Sequence, residues 1–324
     1  MFISIENVAK ALSGQGYLAG RRTATAVYLA WHLQKPLLVE GPAGVGKTAL
    51  AAACAGAMGT DLVRLQCYPG LDEAKALYEW NYQKQLLYIN AQRREDWERI
   101  KQDIYSPGFL LERPFLKAFR AQRPVVLLID EVDKSDEELE SFFLEALSEY
   151  QVTIPEMGTL RARHIPLAIL TSNSTREFGD ALKRRCLHLY IPYPGLEQEV
   201  AIVLSKVPDL PRGLAGRAVE FAQALRRLPL KKPPSVAETI DWAKTILLLG
   251  AGFLDPSLVS ETLGTLLKYE EDLQKVQEKL PGLIPARKNA DRTGPGPASS
   301  GDREGAAGKP ARTRLDDILE RFDF

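Results

Sequence analysis

The chain has 324 residues, enough for one large or two ordinary domains with a substantial core. Hydrophobic residues make up 45% and charged residues 26%, and Lys+Arg balance Asp+Glu at 42 each, so no global field draws the chain to nucleic acid or to an anionic membrane; either contact would need a local patch. Three widely spaced cysteines (Cys54, Cys67, Cys186) without a C-x-x-C argue against a disulfide framework and for reduced thiols in a cytoplasmic protein.

Met1-Phe2-Ile3-Ser4-Ile5-Glu6-Asn7-Val8 lacks a basic segment followed by an apolar block, so it is not expected to be a signal peptide. The longest apolar stretch, near Ile246 to Leu254, is too short to span a bilayer. His32, His164 and His188 show no metal-ligand spacing and are expected to be structural.

In chain order, residues 5–33 predict two helices about a turn. Ile5, Val8, Ala9 and Leu12 share one helical face, Gly14 to Gly20 interrupts it, and Thr23 to His32 resumes it. The segment reads either as a cap on the fold or, beside the motif that follows, as a flap over a nucleotide base with Tyr17 and Leu18 as apolar contacts. Pro36-Leu37-Leu38-Val39-Glu40 predicts a short buried strand. The next residues, Gly41-Pro42-Ala43-Gly44-Val45-Gly46-Lys47-Thr48-Ala49, contain G-x-x-x-x-G-K-[ST]. Its glycines let backbone N–H groups wrap a phosphate chain where a Cβ would clash. Lys47 supplies charge for the β- and γ-phosphates, and the Thr48 hydroxyl is a ligand for Mg²⁺. An alanine-rich helix follows, so strand, glycine loop and helix N-terminus form an anion site.

Leu62 to Cys67 predicts a second strand, and Tyr68-Pro69-Gly70-Leu71-Asp72 a turn. Residues 73–105 are helical in pattern, with an aromatic-rich stripe (Tyr78, Trp80, Tyr82, Leu86, Tyr88, Trp97) expected to pack. A helix is expected from Phe109 to Gln122. Val125-Val126-Leu127-Leu128-Ile129 predicts a buried parallel strand ending in Asp130-Glu131. Ligands of open α/β sheets bind at that end. Asp130 is therefore placed to hold Mg²⁺, and Glu131 to orient and deprotonate an attacking water; the plainer reading is an acidic pair capping the helix of Asp136 to Tyr150. A hairpin is expected from Gln151–Ile154 and Leu160–Ile165. The strand Pro166–Thr171 brings Asn173 beside Asp130. A short helix, Asp180 to Cys186, carries Arg184 and Arg185, which form either a solvated face or, in an oligomer, a bidentate grip on a neighbour's γ-phosphate. Strand Leu187–Ile191 and the boundary Pro192-Tyr193-Pro194-Gly195 follow. Helices are then expected at Leu196–Val207, Gly213–Arg227, Ser235–Leu249 and Pro256–Leu280. Residues 281–312 read as a disordered linker. The tail, 313–324, places Leu315, Ile318, Leu319 and Phe322 on one helical face and reads as a docking peptide or a frayed end.

Taken in this order, the P-loop, the D-E strand end, the strand-end asparagine, the arginine pair and the helical C-terminal region resemble the AAA+ ATPases over roughly residues 5–280. The 151–165 hairpin resembles the pre-sensor insertion of one AAA+ branch, and residues of about 71–108 its helix-2 insertion. Leu65-Gln66-Cys67-Tyr68-Pro69-Gly70-Leu71-Asp72-Glu73, Tyr78-Glu79-Trp80-Asn81-Tyr82 and Thr171-Ser172-Asn173-Ser174-Thr175-Arg176-Glu177 are similar to CoxD-like members of the MoxR family. The resemblance implies an α/β P-loop NTPase core with a three-layer parallel sheet at 34–194, a helical cap at 1–33 and an all-α lid at 195–280. It implies ATP and Mg²⁺ as cofactors, Asn173 as sensor 1, and Arg185 or Arg184 as a finger acting in trans. It further implies a ring-forming, hexameric chaperone that works with a von Willebrand factor A domain protein, for CoxD-like members in maturing a molybdenum hydroxylase. Many AAA+ lids carry a sensor-2 arginine where this chain has Pro233-Pro234-Ser235-Val236-Ala237, so Lys231 or Lys232 is the candidate substitute. The alternative is a nucleic-acid-linked NTPase of restriction or translocase type, which calls for a DNA-reading domain or basic stripe that the sequence does not display. A σ54-type activator would need G-A-F-T-G-A and a GTPase N-K-x-D; neither is present.

Overall fold

A computed structural model describes residues 2–91, 97–154, 157–176 and 178–284. Most of the expected linker and the whole amphipathic tail lie outside the described residues. Among those described, the strands are β1 Leu37–Glu40, β2 Leu62–Gln66, β3 Tyr78–Trp80, β4 Leu110–Glu112, β5 Val126–Asp130, β6 Gln151–Ile154, β7 Gly158–Arg161, β8 Leu167–Ser172 and β9 Leu187–Tyr190. Five of them form one parallel sheet in the order β2-β5-β8-β1-β9. β5 and β8 are buried along their whole length, as continuous apolar runs require. The edge strand β2 alternates instead, with Val63 and Leu65 inward and Leu62, Arg64 and Gln66 outward.

Helices cover both faces, giving three layers. α1 Ile5–Gly14, α2 Arg21–Leu33 and α3 Lys47–Met58 share a core with Leu37, Val39, Val126, Leu128 and Ile169. The alternate residues of the same strands, Leu38, Leu127, Ile129 and Leu170, face the opposite core. That second core also takes residues of α4 Glu73–Leu77, α7 Pro114–Arg120 and α8 Glu137–Ser148. Between α4 and α7 lie α5 Tyr82–Ala91 and α6 Trp97–Ile104. Asp136 caps α8 by accepting the Leu139 N–H at 2.9 Å, a contact of about 1 kcal/mol. The hairpin β6–β7 pairs from Gln151↔Arg161 to Ile154↔Gly158, its second strand beginning earlier than expected.

The insertion differs from its sequence reading. β3 and β4 pair antiparallel, with Trp80 opposite Leu110, inside stretches expected to be helical. Phe109 lies in a 3₁₀ turn, and the helix starts only at Pro114, whose fixed φ suits a first helical position. Trp80 stacks edge-on against Tyr105 at 5.3 Å and Tyr88 against Phe109 at 5.3 Å. Tyr82, Leu86 and Trp97 of the same stripe are exposed, together with Leu87.

After β9 come α9's successors: following α9 Asp180–Arg185 and the strand, α10 Leu196–Lys206, α11 Arg212–Arg226, α12 Val236–Leu248, α13 Pro256–Leu266 and α14 Glu270–Leu283 pack around buried Trp242. The single helix expected at 256–280 is two. Leu267 is extended and buried in this core, and the acidic turn Glu270-Glu271-Asp272 begins the second helix, where carboxylates suit the helix dipole. α14 runs through Pro281 to Leu283, past the expected end at 280. Buried Asp272 accepts the backbone N–H groups of Lys231 and Lys232 at 2.9 and 3.0 Å. Among the described residues no helix is long and apolar enough to cross a membrane.

The helical region centres on a buried ion pair. Arg226 donates to both oxygens of Glu199 at 2.7 and 2.6 Å, to Thr239 at 3.0 Å and to the Pro234 carbonyl at 2.7 Å. It also lies 4.6 Å from the Tyr193 ring centre. Removing one partner of such a pair strands a buried charge and costs roughly 3–5 kcal/mol. Glu199→Ala is therefore expected to lower the urea midpoint sharply, whereas Arg21→Ala, which breaks only the exposed pair with Glu6, leaves it unchanged; urea titration followed by far-UV circular dichroism checks both.

Candidate active site

Parallel pairing carries the ends of three strands to one edge of the sheet. The registers Glu40↔Ser172 and Gln66↔Asp130 put the loop after β1, the carboxylates after β5 and the turn after β8 side by side. The loop Gly41–Gly46 turns through positive φ at Gly41, Gly44 and Gly46 (150°, 71° and 98°). A Cβ on Gly41 would stand 2.2 Å from the Ile191 carbonyl oxygen. α3 then begins at Lys47, so its free N–H groups open onto the loop.

Lys47 is buried, and its ammonium donates to the carbonyls of Gly41 and Pro42, both at 2.7 Å, and to Asn173 Oδ1 at 2.8 Å. All three of its donors are thereby used. Burial pushes its pKa below the ordinary lysine value, and the carboxylates of Asp133, Asp130 and Glu131 oppose that shift. Thr48 Oγ1 donates to Asp130 Oδ1 at 3.0 Å. The Thr171 hydroxyl donates to the same oxygen and accepts the Glu131 N–H at 3.0 Å. Asp130 Oδ2 is taken by Arg64 at 2.5 Å. Glu131 sits in the left-handed region at φ 56°. Its Oε2 accepts from Gln66 at 2.8 Å and from Lys134 at 2.6 Å, and this bond to Glu131 raises the Lys134 pKa.

Two further carboxylates hold the segment after β8. Asp133 accepts the Asn173 N–H at 3.3 Å and both the N–H and hydroxyl of Thr175. Glu140 accepts from Arg176 at 3.0 Å and from Gly179 N–H, which caps α9, at 2.8 Å. That helix presents Arg184 and Arg185, both exposed and without an ion pair among the described residues. The structure thus brings Lys47, Thr48, Asp130, Glu131 and Asn173 into one cluster and leaves the arginines outside it. Sequence reasoning passed over Arg64, Gln66, Asp133, Lys134 and Thr171. The available signal for Arg64 and Gln66 was the period-2 alternation of β2, which puts both on its outward face.

A cavity of about 620 Å³ opens beside the glycine loop. Its walls include Tyr17, Leu18, Gly44–Gly46, Ile191, Ile202, Lys206 and Ile240. The N-terminal helices pack on the sheet, and the turn between them, with Tyr17 and Leu18, forms one wall of this cleft. Burial raises the pKa of the Tyr17 phenol. Of the two lysines named as sensor-2 substitutes, Lys231 lies 4.4 Å from the Tyr269 ring centre and Lys232 is 3.3 Å from Glu238; Asp272 accepts the backbone N–H of each. Ser235, the N-cap of α12, comes against the loop instead, its Oγ 2.3 Å from where a Gly44 Cβ would stand.

These residues fit a nucleotide and its metal ion. The loop has no room for side chains at Gly41 and Gly44, its lysine is buried with its charge facing carbonyl oxygens, and Thr48 and Asp130 offer the hard oxygens Mg²⁺ prefers. His32 instead bonds the Phe2 carbonyl and His188 bonds Glu40.

Residues 37–193 match the model of the ATPase family associated with various cellular activities (AAA), and the fold is that of an AAA+ P-loop NTPase with a helical C-terminal region. No curated protein matches the chain. Among solved structures it is similar to the Thermotoga maritima RuvB Holliday junction branch migration motor, with 18% identity, 86% of this chain and 76% of that chain covered, and a TM-score of 0.43. A mutant of the same Thermotoga maritima protein aligns at 17% identity with the same coverage and a TM-score of 0.47.

Gly41→Ala sets a methyl group against an immovable backbone carbonyl. A distortion on the order of 1–3 kcal/mol is expected, with nucleotide affinity falling at least about tenfold. Gly59→Ala at φ 60° meets nothing within 4 Å and is expected to lower stability by roughly 1 kcal/mol with binding unchanged. Titration with a fluorescent ATP analogue, alongside thermal melting, separates the two.

Proposed function

We propose that the chain is a Mg²⁺-dependent ATPase of the AAA+ class that works as a homo-oligomer to remodel a protein client. The observation that carries this reading is the hydrogen-bonded cluster in which Lys47 meets Asn173 and Thr48 meets Asp130. Lys47, released from the Gly41 and Pro42 carbonyls, holds the β- and γ-phosphates, and the loop N–H groups cradle the chain. Thr48 and Asp130 would hold Mg²⁺, which would supply positive charge to the phosphate oxygens. Glu131 takes a proton from the attacking water, and Asn173 orients that water without competing for the metal.

Arg185 or Arg184 on an exposed helix end suits the role of a finger reaching a neighbour's γ-phosphate in a ring, for which six copies is the family's habit. A protein client, rather than nucleic acid, is supported by the insertion, whose exposed surface carries Tyr82, Leu86, Leu87 and Trp97, and by the even charge balance. The three cysteines are free, which suits a reducing, cytoplasmic setting. The finer reading is a MoxR-type, CoxD-like chaperone that acts with a von Willebrand factor A domain partner on a molybdenum hydroxylase.

Lys47→Ala is expected to lose nucleotide binding. Glu131→Gln is expected to bind ATP as the wild type does and to hydrolyse it at least 100-fold more slowly, because an amide places water but cannot take its proton. Wild-type turnover by Glu131→Gln would show that another group is the base. With Glu131→Gln held in ATP, affinity capture from native cytosol tests the client: a von Willebrand-type protein or a molybdenum hydroxylase subunit supports the finer reading. Nuclease-sensitive nucleic acid with no such partner replaces it with the translocase reading.

A further inference from the structure

The metal carboxylate and the base carboxylate are joined through the edge strand. Of the two Asp130 oxygens, Oδ1 is occupied by the hydroxyls of Thr48 and Thr171. Oδ2, which the Thr48 hydroxyl also reaches more loosely at 3.3 Å, is taken by the Arg64 guanidinium at 2.5 Å. The same Arg64 nitrogen donates to Gln66 Oε1 at 2.6 Å, and the Gln66 amide donates from its other end to Glu131 Oε2 at 2.8 Å. Arg64 and Gln66 reach this line because they are two residues apart on β2 and so share a face, and because the register sets Gln66 opposite Asp130.

The two ends of the Arg64–Asp130 pair differ in exposure. The Asp130 side chain is 4% exposed, so its carboxylate is held out of water beside the guanidinium. The Arg64 side chain is 51% exposed, so its departure into water carries little desolvation penalty. A divalent cation and a guanidinium cannot share one carboxylate oxygen without like-charge repulsion.

On the reading of this site as a Mg²⁺-dependent ATPase, we propose that Arg64 is a positioning residue that acts as a metal-displaced latch. Its guanidinium neutralises Asp130 before the metal arrives and competes with Mg²⁺ for that oxygen. Arrival of Mg²⁺ expels Arg64 from that oxygen.

The test is a binding measurement on the full-length protein. A fluorescent, non-hydrolysable ATP analogue is titrated first in EDTA and then at increasing Mg²⁺, for wild type, Arg64→Ala, Arg64→Gln and Gln66→Ala, each with its thermal midpoint recorded. Loss of the competitor in Arg64→Ala and Arg64→Gln is expected to lower the half-saturating Mg²⁺ concentration about tenfold, with affinity in EDTA unchanged. Gln66→Ala leaves the Arg64–Asp130 contact in place, so its half-point is expected to stay within about twofold of wild type. An unchanged or higher Mg²⁺ half-point in a folded Arg64 variant overturns the latch while leaving the ATPase reading intact. An equal shift in Gln66→Ala overturns it as well, since the effect is then a general loosening of β2. Failure of the wild type to bind the analogue under any condition removes the ATPase reading, and the latch with it.

Discussion

A buried ammonium must satisfy all three of its donors, and Lys47 does so by tying together two distant stretches of chain. Two bonds go back to its own loop and the third crosses to Asn173 after β8. Leaving that charge unpaired would carry a large penalty. The glycine loop therefore folds over the lysine, and the end of β8 is held beside it. On the proposed reading, a phosphate chain would replace these acceptors with stronger, charge-assisted partners.

Behind this contact stands a row of buried or part-buried carboxylates, each holding a different segment. Asp130 joins α3 to β8 through two threonine hydroxyls, Asp133 fixes the backbone of the Asn173 turn, and Glu140 anchors the start of α9. Glu199 does the corresponding work in the helical region, where Arg226 links α10, α11, α12 and the Tyr193 hinge. The Pro234 carbonyl bonded to Arg226 immediately precedes Ser235, the residue set against Gly44. A change at the glycine loop is therefore mechanically connected to the core of the helical region through one serine and one arginine.

The elements legible in the sequence were those whose meaning is local. The glycine loop is a contiguous motif, β5 is an unbroken apolar run ending in two acids, and the helix expected from Ser235 starts there as α12. What the sequence concealed depends on pairing between distant segments. Arg64 looks like an ordinary outward residue of a strand until the β2–β5 register, which pairs it with Leu128, brings its guanidinium within reach of the Asp130 carboxylate. The 110–112 stretch reads as the start of a helix until Trp80 pairs with Leu110 and Pro114 restarts the chain. Lys231 and Lys232 read as neighbours in a loop, and their tie to Asp272, some forty residues later, is visible only in the fold. Leu267 breaks a helical pattern because its side chain is drawn into the core around Trp242.

The central claim is that this cluster hydrolyses ATP, and that each copy's site is completed by a neighbour. Phosphate release from ATP, measured across a range of protein concentrations with Mg²⁺ and again with EDTA, tests it most directly. The account predicts Mg²⁺-dependent release whose rate per chain rises with protein concentration and then levels off as assembly completes. Release no greater than that of Lys47→Ala at every concentration would contradict it.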